Sequence, residues 1–112
     1  MPQDRLEALL RFYEEDPNDA FTRYALAGEY LKRGDTDRAL SFFEGLVADE
    51  PDYLGTYYHL GKLYEHLGRP SDALATYRRG IERARAQGAW HTLSELQSAL
   101  LEAEGLGSDD AS

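Results

Sequence analysis

Cysteine is absent from the 112 residues, and tryptophan and methionine occur once each. Without cysteine there is no disulfide, no thiolate nucleophile and no thiolate metal site, which is compatible with a reducing compartment. Lysine is nearly missing too: ten of the twelve basic residues are arginine, leaving only Lys32 and Lys62. A surplus of positive charge is lacking altogether. The formal net charge is −9, which argues against nucleic-acid binding, because that affinity comes mainly from Lys and Arg displacing counterions. The acid is spread along the chain. It is expected to keep the surface hydrated, as also suits high salt, with recognition of a basic partner as the alternative. No apolar run is long enough to span a membrane. Met1-Pro2-Gln3-Asp4-Arg5 has neither a basic leader nor an apolar stretch behind it, so no secretory signal is expected and a cytoplasmic location is.

Chemistry-bearing patterns are equally scarce. There is no HExxH, no phosphate-cradling glycine loop and no nucleophile elbow. His59 and His66 stand seven apart on one expected helix, about 10 Å along its axis, too far to share a metal without a bend. No catalytic residue, metal or cofactor is therefore assigned. A metal-dependent or hydrolytic enzyme is a remote alternative.

What the chain does have is an internal echo. Tyr24 recurs as Tyr58, Leu26 as Leu60, Tyr30 as Tyr64, Gly34 as Gly68, Ala39 as Ala73, Leu40 as Leu74 and Pro17 as Pro51, all at an offset of 34 residues. Shared helical composition does not readily produce seven identities at one offset. That period belongs to helix-turn-helix solenoid units.

The pattern predicts an all-α chain of about six antiparallel helices. Asp4 and Glu7 read as a capping box before a first helix over residues 5–15, with Leu6, Leu9, Leu10 and Tyr13 on one face. Asp16-Pro17 ends it, and Asn18 or Asp19 can cap the second helix. Phe21, Tyr24, Leu26, Ala27, Tyr30 and Leu31 then recur at helical spacing over residues 20–33. Gly34 comes next, where a left-handed helix end costs least. The next helix carries Ala39, Leu40, Phe42, Phe43, Leu46 and Val47, and stops at Glu50-Pro51. The second copy repeats the plan over residues 54–67, with Gly68 as the stop and Pro70 suited to a first helical position. A helix over residues 71–86 carries Ala73, Leu74, Tyr77, Ile81 and Ala84 inward and Arg78, Arg79, Arg83 and Arg85 outward. After Gly88 the 34-residue echo fails, since Ser94, Glu95 and Ser98 stand where Leu60, Gly61 and Tyr64 predict apolar or small residues. Residues 90–104 still read as an amphipathic capping helix, with Leu93, Leu96, Leu100 and Leu101 inward and Glu95, Ser98 and Glu102 toward water. Residues 107–112 read as a flexible tail.

On these residues the chain resembles the tetratricopeptide repeat family. Leu26-Ala27 and Leu60-Gly61, Tyr30 and Tyr64, Ala39 and Ala73, Phe43 and Tyr77, and Pro51 stand at its signature positions, although Arg23 replaces the usual Trp and the second copy has Tyr57. The resemblance implies a right-handed helix-turn-helix solenoid in one domain over residues 1–106. That domain would hold an N-terminal helix, repeats at 20–53 and 54–87, and the capping helix at 90–104. It implies structural roles for the signature residues, because small ones let helix backbones approach and aromatics fill the space beside them.

It also implies a non-enzymatic module binding a peptide of a partner protein, of unknown identity, in a concave groove lined by Tyr24, Gly28, Lys32, Tyr58, His59, Lys62 and His66. Aromatic walls with cationic groups would suit an acidic or carboxy-terminal segment. The Lys and Asn clamp by which one subclass grips chaperone tails is missing, since Tyr24, Gly28, His59, Ala89 and Leu93 hold its positions. A self-associating homodimeric scaffold is the alternative, because Leu6, Leu10, Phe12 and Tyr13 exceed what one helix face needs.

Overall fold

The computed structural model describes the backbone of residues 2–109 and the side chains of residues 5–105. Among them are six helices and no strand: α1 (Pro2–Glu15), α2 (Ala20–Lys32), α3 (Thr36–Asp49), α4 (Gly55–His66), α5 (Pro70–Gln87) and α6 (Trp90–Asp109). They fall into two units, α1 to α3 and α4 to α6, divided between Tyr53 and Leu54. None of the described helices is long and apolar enough to cross a membrane.

In the first unit, Leu9 of α1 is buried with Ala25 and Leu26 of α2, and Leu6, Leu10, Tyr13, Tyr30 and Phe42 pack against them. Phe42 of α3 meets Tyr13 edge-on at 5.4 Å and stacks with Tyr30 at 5.9 Å. Glu29 ties α1 to α2. It is only 7% exposed, and its two oxygens accept from Arg5 Nε at 3.1 Å and Arg33 Nε at 3.0 Å. Arg23, standing at the signature position of the aromatic, is mostly buried and reaches Asp49 at 2.9 Å. Its guanidinium lies so close to Gly45 that a Cβ there would meet Nη2 at 2.8 Å.

The second unit uses closer approaches. Tyr57, Tyr77, Leu96, Ala73 and Ala84 are fully buried. A Cβ on Gly61 of α4 would stand 2.1 Å from the Tyr77 ring of α5. One on Gly80 of α5 would stand 2.6 Å from Tyr57 Cβ and 2.9 Å from Leu96 Cδ1. Two glycines thus allow α4, α5 and α6 to pack around the Tyr57 and Tyr77 rings.

The turns obey local chemistry. Gly34, Gly68 and Gly88 adopt φ of 82°, 72° and 68° after their helices, a region strained for other residues. Asp19 caps α2, accepting from Thr22 N at 2.9 Å. At the two equivalent turns the ion pair is inverted. Asp35 caps α3 and pairs with Arg38 at 2.6 Å, whereas Arg69 precedes α5 and pairs with Asp72 at 2.8 Å. Both arginines lie over the equivalent tyrosine, Arg38 at 5.7 Å from the Tyr30 centroid and Arg69 at 4.6 Å from that of Tyr64. Arg69 cannot accept a bond from the helix, so α5 opens on Pro70 instead, with Asp72 in its first turn.

Several sequence expectations need correction. The first helix begins at Pro2, so Asp4 lies inside it and is not its cap; proline at the first helical position forgoes no hydrogen bond. The last helix does not stop at residue 104 but continues through Asp109, because Gly105 and Gly107 weaken a helix by about 1 kcal/mol each without breaking it as proline would. Of the expected tail, 107–109 are helical and 110–112 lie outside the described residues. Leu101, read as inward, is 69% exposed, and Phe21, counted among the periodic apolar residues of the second helix, is 63% exposed.

Candidate functional site

The seven expected groove residues divide between the units. In the first, Tyr24 is wedged between Phe43, with ring centroids 6.2 Å apart, and Tyr53, 5.6 Å apart. Burial, with Tyr53 beside it, raises the Tyr24 hydroxyl above the ordinary tyrosine pKa, so it stays protonated. Gly28 is half-buried with open space where a Cβ would project. Lys32 is exposed in the last turn of α2, where a cation complements the helix dipole.

The second unit holds a cleft. One wall is α4, where the 37%-exposed Tyr58 and, one turn on, Lys62 project side by side; the other is α6, with His91, Ser94, Glu95, Ser98, Ala99 and Glu102. Its volume is about 270 Å³. Lys62 Nζ stands 5.6 Å from the Tyr58 ring centroid and 3.9 Å from Glu65 Oε2. The ring of His59 meets that of Tyr58 edge-on at 5.5 Å. Burial lowers the His59 pKa from its usual value while the Glu95 carboxylate pulls it the other way, so His59 is neutral at pH 7. Nearby, the Tyr77 hydroxyl donates to Glu65, and its pKa rises far above the ordinary value, first through burial and then through that bond. Across the cleft, His91 Nε2 is 3.7 Å from Glu95 Oε2. His66, at the end of α4, is exposed and does not line the cleft.

So the structure brings Tyr58 and Lys62 together in a cavity and sets His59 against Tyr58. Opposite the one ammonium lie two carboxylates, which changes the chemistry expected from α4 alone. Glu95, Ser98 and Glu102, read as facing water, are exposed as expected and also form the far wall. Among the described residues, no group of three or more His, Asp or Glu is placed to hold a metal ion.

The tetratricopeptide repeat family pattern matches residues 30–96. The chain belongs to the tetratricopeptide repeat family. A tetratricopeptide repeat domain protein from Salinibacter ruber, solved by solution NMR, is 63% identical, with 81% of this chain and 92% of that chain covered and a TM-score of 0.78. A crystal structure from Salinibacter ruber, also of a tetratricopeptide repeat domain protein, is 62% identical, with 79% and 99% covered and a TM-score of 0.76. A protein from Bordetella parapertussis, 22% identical over 88% of this chain and 86% of that chain, has a TM-score of 0.74 and shares the fold. No curated protein matches the chain.

Within the family frame, the packing shows why the echo fails after Gly88. Helix α5 runs 18 residues where α3 runs 14, and only Gly88 and Ala89 separate it from α6. The register of α6 is displaced, and the offset becomes 36: Thr56 maps to Thr92, Leu60 to Leu96, and the buried Leu63 to the buried Ala99. On that offset Tyr58 maps to Ser94, His59 to Glu95, Lys62 to Ser98 and His66 to Glu102. The cleft residues that sequence reasoning missed are thus the repeat-equivalents of those it named. The signal that could have found them is the Thr22, Thr56, Thr92 and Leu26, Leu60, Leu96 series.

Proposed function

We propose that the protein is a non-enzymatic binding module whose α4–α6 cleft takes an extended segment of a partner polypeptide. The observation that carries this reading is the cleft itself. It presents an aromatic ring, a lysine, two serines and two glutamates from facing helices, a mixed apolar and polar lining of the kind that orients a peptide. The family is one of protein–protein interaction modules, and the cleft residues of α4 are those to which the family resemblance points. Tyr24, Gly28 and Lys32 are the candidate positions of the first unit, with Lys32 the exposed charge among them. The acidity of the chain suits a hydrated setting such as the cytoplasm.

Site-specific photo-crosslinking tests the reading. A benzoylphenylalanine placed at Tyr58 gives a discrete partner adduct in host extract, and the same group at Arg79 on the outer side of α5 does not. Equal adducts at both places, or none at Tyr58, would sink it.

Self-association through α1 is the other reading, and the packing supports it less than the sequence does. Leu6, Leu10 and Tyr13 are engaged with the Leu9–Ala25–Leu26 cluster, which leaves Phe12, 55% exposed, as the surplus. One exposed aromatic is ordinary on a monomer.

A further inference from the structure

We infer that the cleft is a seat for a positively charged side chain, an arginine of a basic peptide segment, and that Lys62 fills this seat in the free protein. The inference rests on the reading of the cleft as the partner-binding surface and goes beyond it by fixing the sign of the partner's charge.

The charges facing the cleft decide the sign. Lys62 is the one cation among its lining residues, and it already leans on Glu65 at 3.9 Å. Against it stand Glu95 and Glu102. Glu95 meets His91 at 3.7 Å, and among the described residues no hydrogen bond engages the Glu102 carboxylate. His59 is not among the lining residues and desolvation lowers its pKa, and His91 is 90% exposed. An acidic guest would meet two carboxylates it cannot satisfy. A guanidinium would find both, together with the hydroxyls of Ser94 and Ser98, which make no hydrogen bond among the described residues.

The ring of Tyr58 supplies the seat. Lys62 Nζ lies 5.6 Å from its centroid, which is the position of a cation–π guest. The ammonium is thus an internal stand-in, held by the ring and by Glu65. A guest arginine has two advantages over it: a flat guanidinium that stacks on the ring, and a fork of donors that can pair with a carboxylate on α6 at the same time. The net charge of −9 draws such a guest in and keeps an acidic one away. Lys62 therefore competes with the partner, a role opposite in sign to the one expected of a lysine that binds an acidic segment.

Fluorescence anisotropy in about 0.15 M salt, where attraction between distant charges is screened, provides the test. The probes are two fluorescein-labelled, end-capped Gly-Ser nonapeptides carrying three arginines or three glutamates at the same places. The arginine peptide binds and the glutamate peptide does not. Lys62→Met tightens the arginine peptide severalfold, and Glu95→Gln with Glu102→Gln weakens it about fivefold or more. Glu14→Gln with Asp37→Asn removes the same charge elsewhere and leaves affinity within about twofold, with circular dichroism confirming the helix content of each variant. Tighter binding of the glutamate peptide, weakening by Lys62→Met, or equal weakening by the two charge-removing pairs overturns the inference. Absence of binding by either peptide, with the Tyr58 crosslink still formed, also overturns it and leaves the reading of the cleft as a binding surface standing.

Discussion

Gly61→Ala should unsettle the second unit although it adds one methyl group to a helix that would welcome it. The added Cβ would lie 2.1 Å from Tyr77 Cε1, 2.5 Å from Cζ and 2.7 Å from Cδ1. Ordinary carbon contacts begin near 3.5 Å, so ring or helix must retreat by about 1.4 Å. The ring has nowhere to go: Tyr77 is fully buried and its hydroxyl is bound to Glu65. Overpacking of this kind costs about 3 kcal/mol at its upper range, against a gain of about 1 kcal/mol from replacing glycine in a helix interior. The net destabilisation is about 2 kcal/mol, or about 8 °C or more in Tm for a domain of this size. Thermal unfolding followed at 222 nm reads it directly. Gly28→Ala is the control, because its Cβ meets nothing within 4 Å and should stabilise by up to about 1 kcal/mol. A second comparison comes from the first repeat, where Ala27 and Phe43 stand at the places of Gly61 and Tyr77. Tyr77→Phe frees the ring from Glu65, so the double variant should be less destabilised than the two single changes added together. A Tm for Gly61→Ala equal to or above that of the parent would refute the close-approach argument.

Glu29→Gln removes the charge that bridges Arg5 and Arg33, and should cost about 1.5–3 kcal/mol while speeding amide exchange along α1; unchanged exchange there would show that the bridge does not hold α1 in place. His59 has a folded-state pKa below the ordinary 6.5, so the unfolded chain holds the extra proton. Stability should therefore climb as pH rises from the folded value toward 6.5, and His59→Gln should flatten that rise in urea titrations across pH 5 to 7.5. Asp19 and Asp35 are lowered too, but because hydrogen bonds favour their charged form, Asp19 first through the Thr22 hydroxyl and Asp35 first through the Arg38 guanidinium. Their contribution is complete above pH 3.8 and is lost as pH falls through the folded values, so Asp19→Asn should reduce the acid sensitivity of Tm between pH 5 and 2.

The parts of the fold legible in the sequence were those in which one physical requirement admits few residues. A left-handed helix end selects glycine, and Gly34, Gly68 and Gly88 marked three such ends. Helix entry selects a short acceptor, as at Asp19 and Asp35, or a proline at the first position, as at Pro70. Between those marks the period of 34 carried α2 to α5. What it could not carry was the register of α6, because α5 overruns its counterpart and the comparison of Ser94 with Leu60 sets a cleft position against a core one. A polar stripe on an amphipathic helix reads as facing water, and nothing within α6 says that Tyr58 and Lys62 stand opposite it.

That failure separates two kinds of information in a repeat. Positions that must pack repeat their chemistry: Leu26, Leu60 and Leu96 are all buried, and Thr22, Thr56 and Thr92 recur beside them. Positions at the cleft differ instead: Lys62 and Ser98 line it while Gly28 holds the equivalent place in the first repeat, and His59 and Glu95 have the buried Ala25 as their counterpart. On the function proposed above, the departures from the repeat carry the binding chemistry, with the register taken from packing and not from a fixed offset. On the fixed offset, Lys62 has the buried Leu96 as its counterpart and the cleft does not appear. On the packing register its counterpart is Ser98, on the other wall of the cleft, and Glu95 and Glu102 fall into line beside it as the acidic wall that a lysine-lined groove was not expected to have.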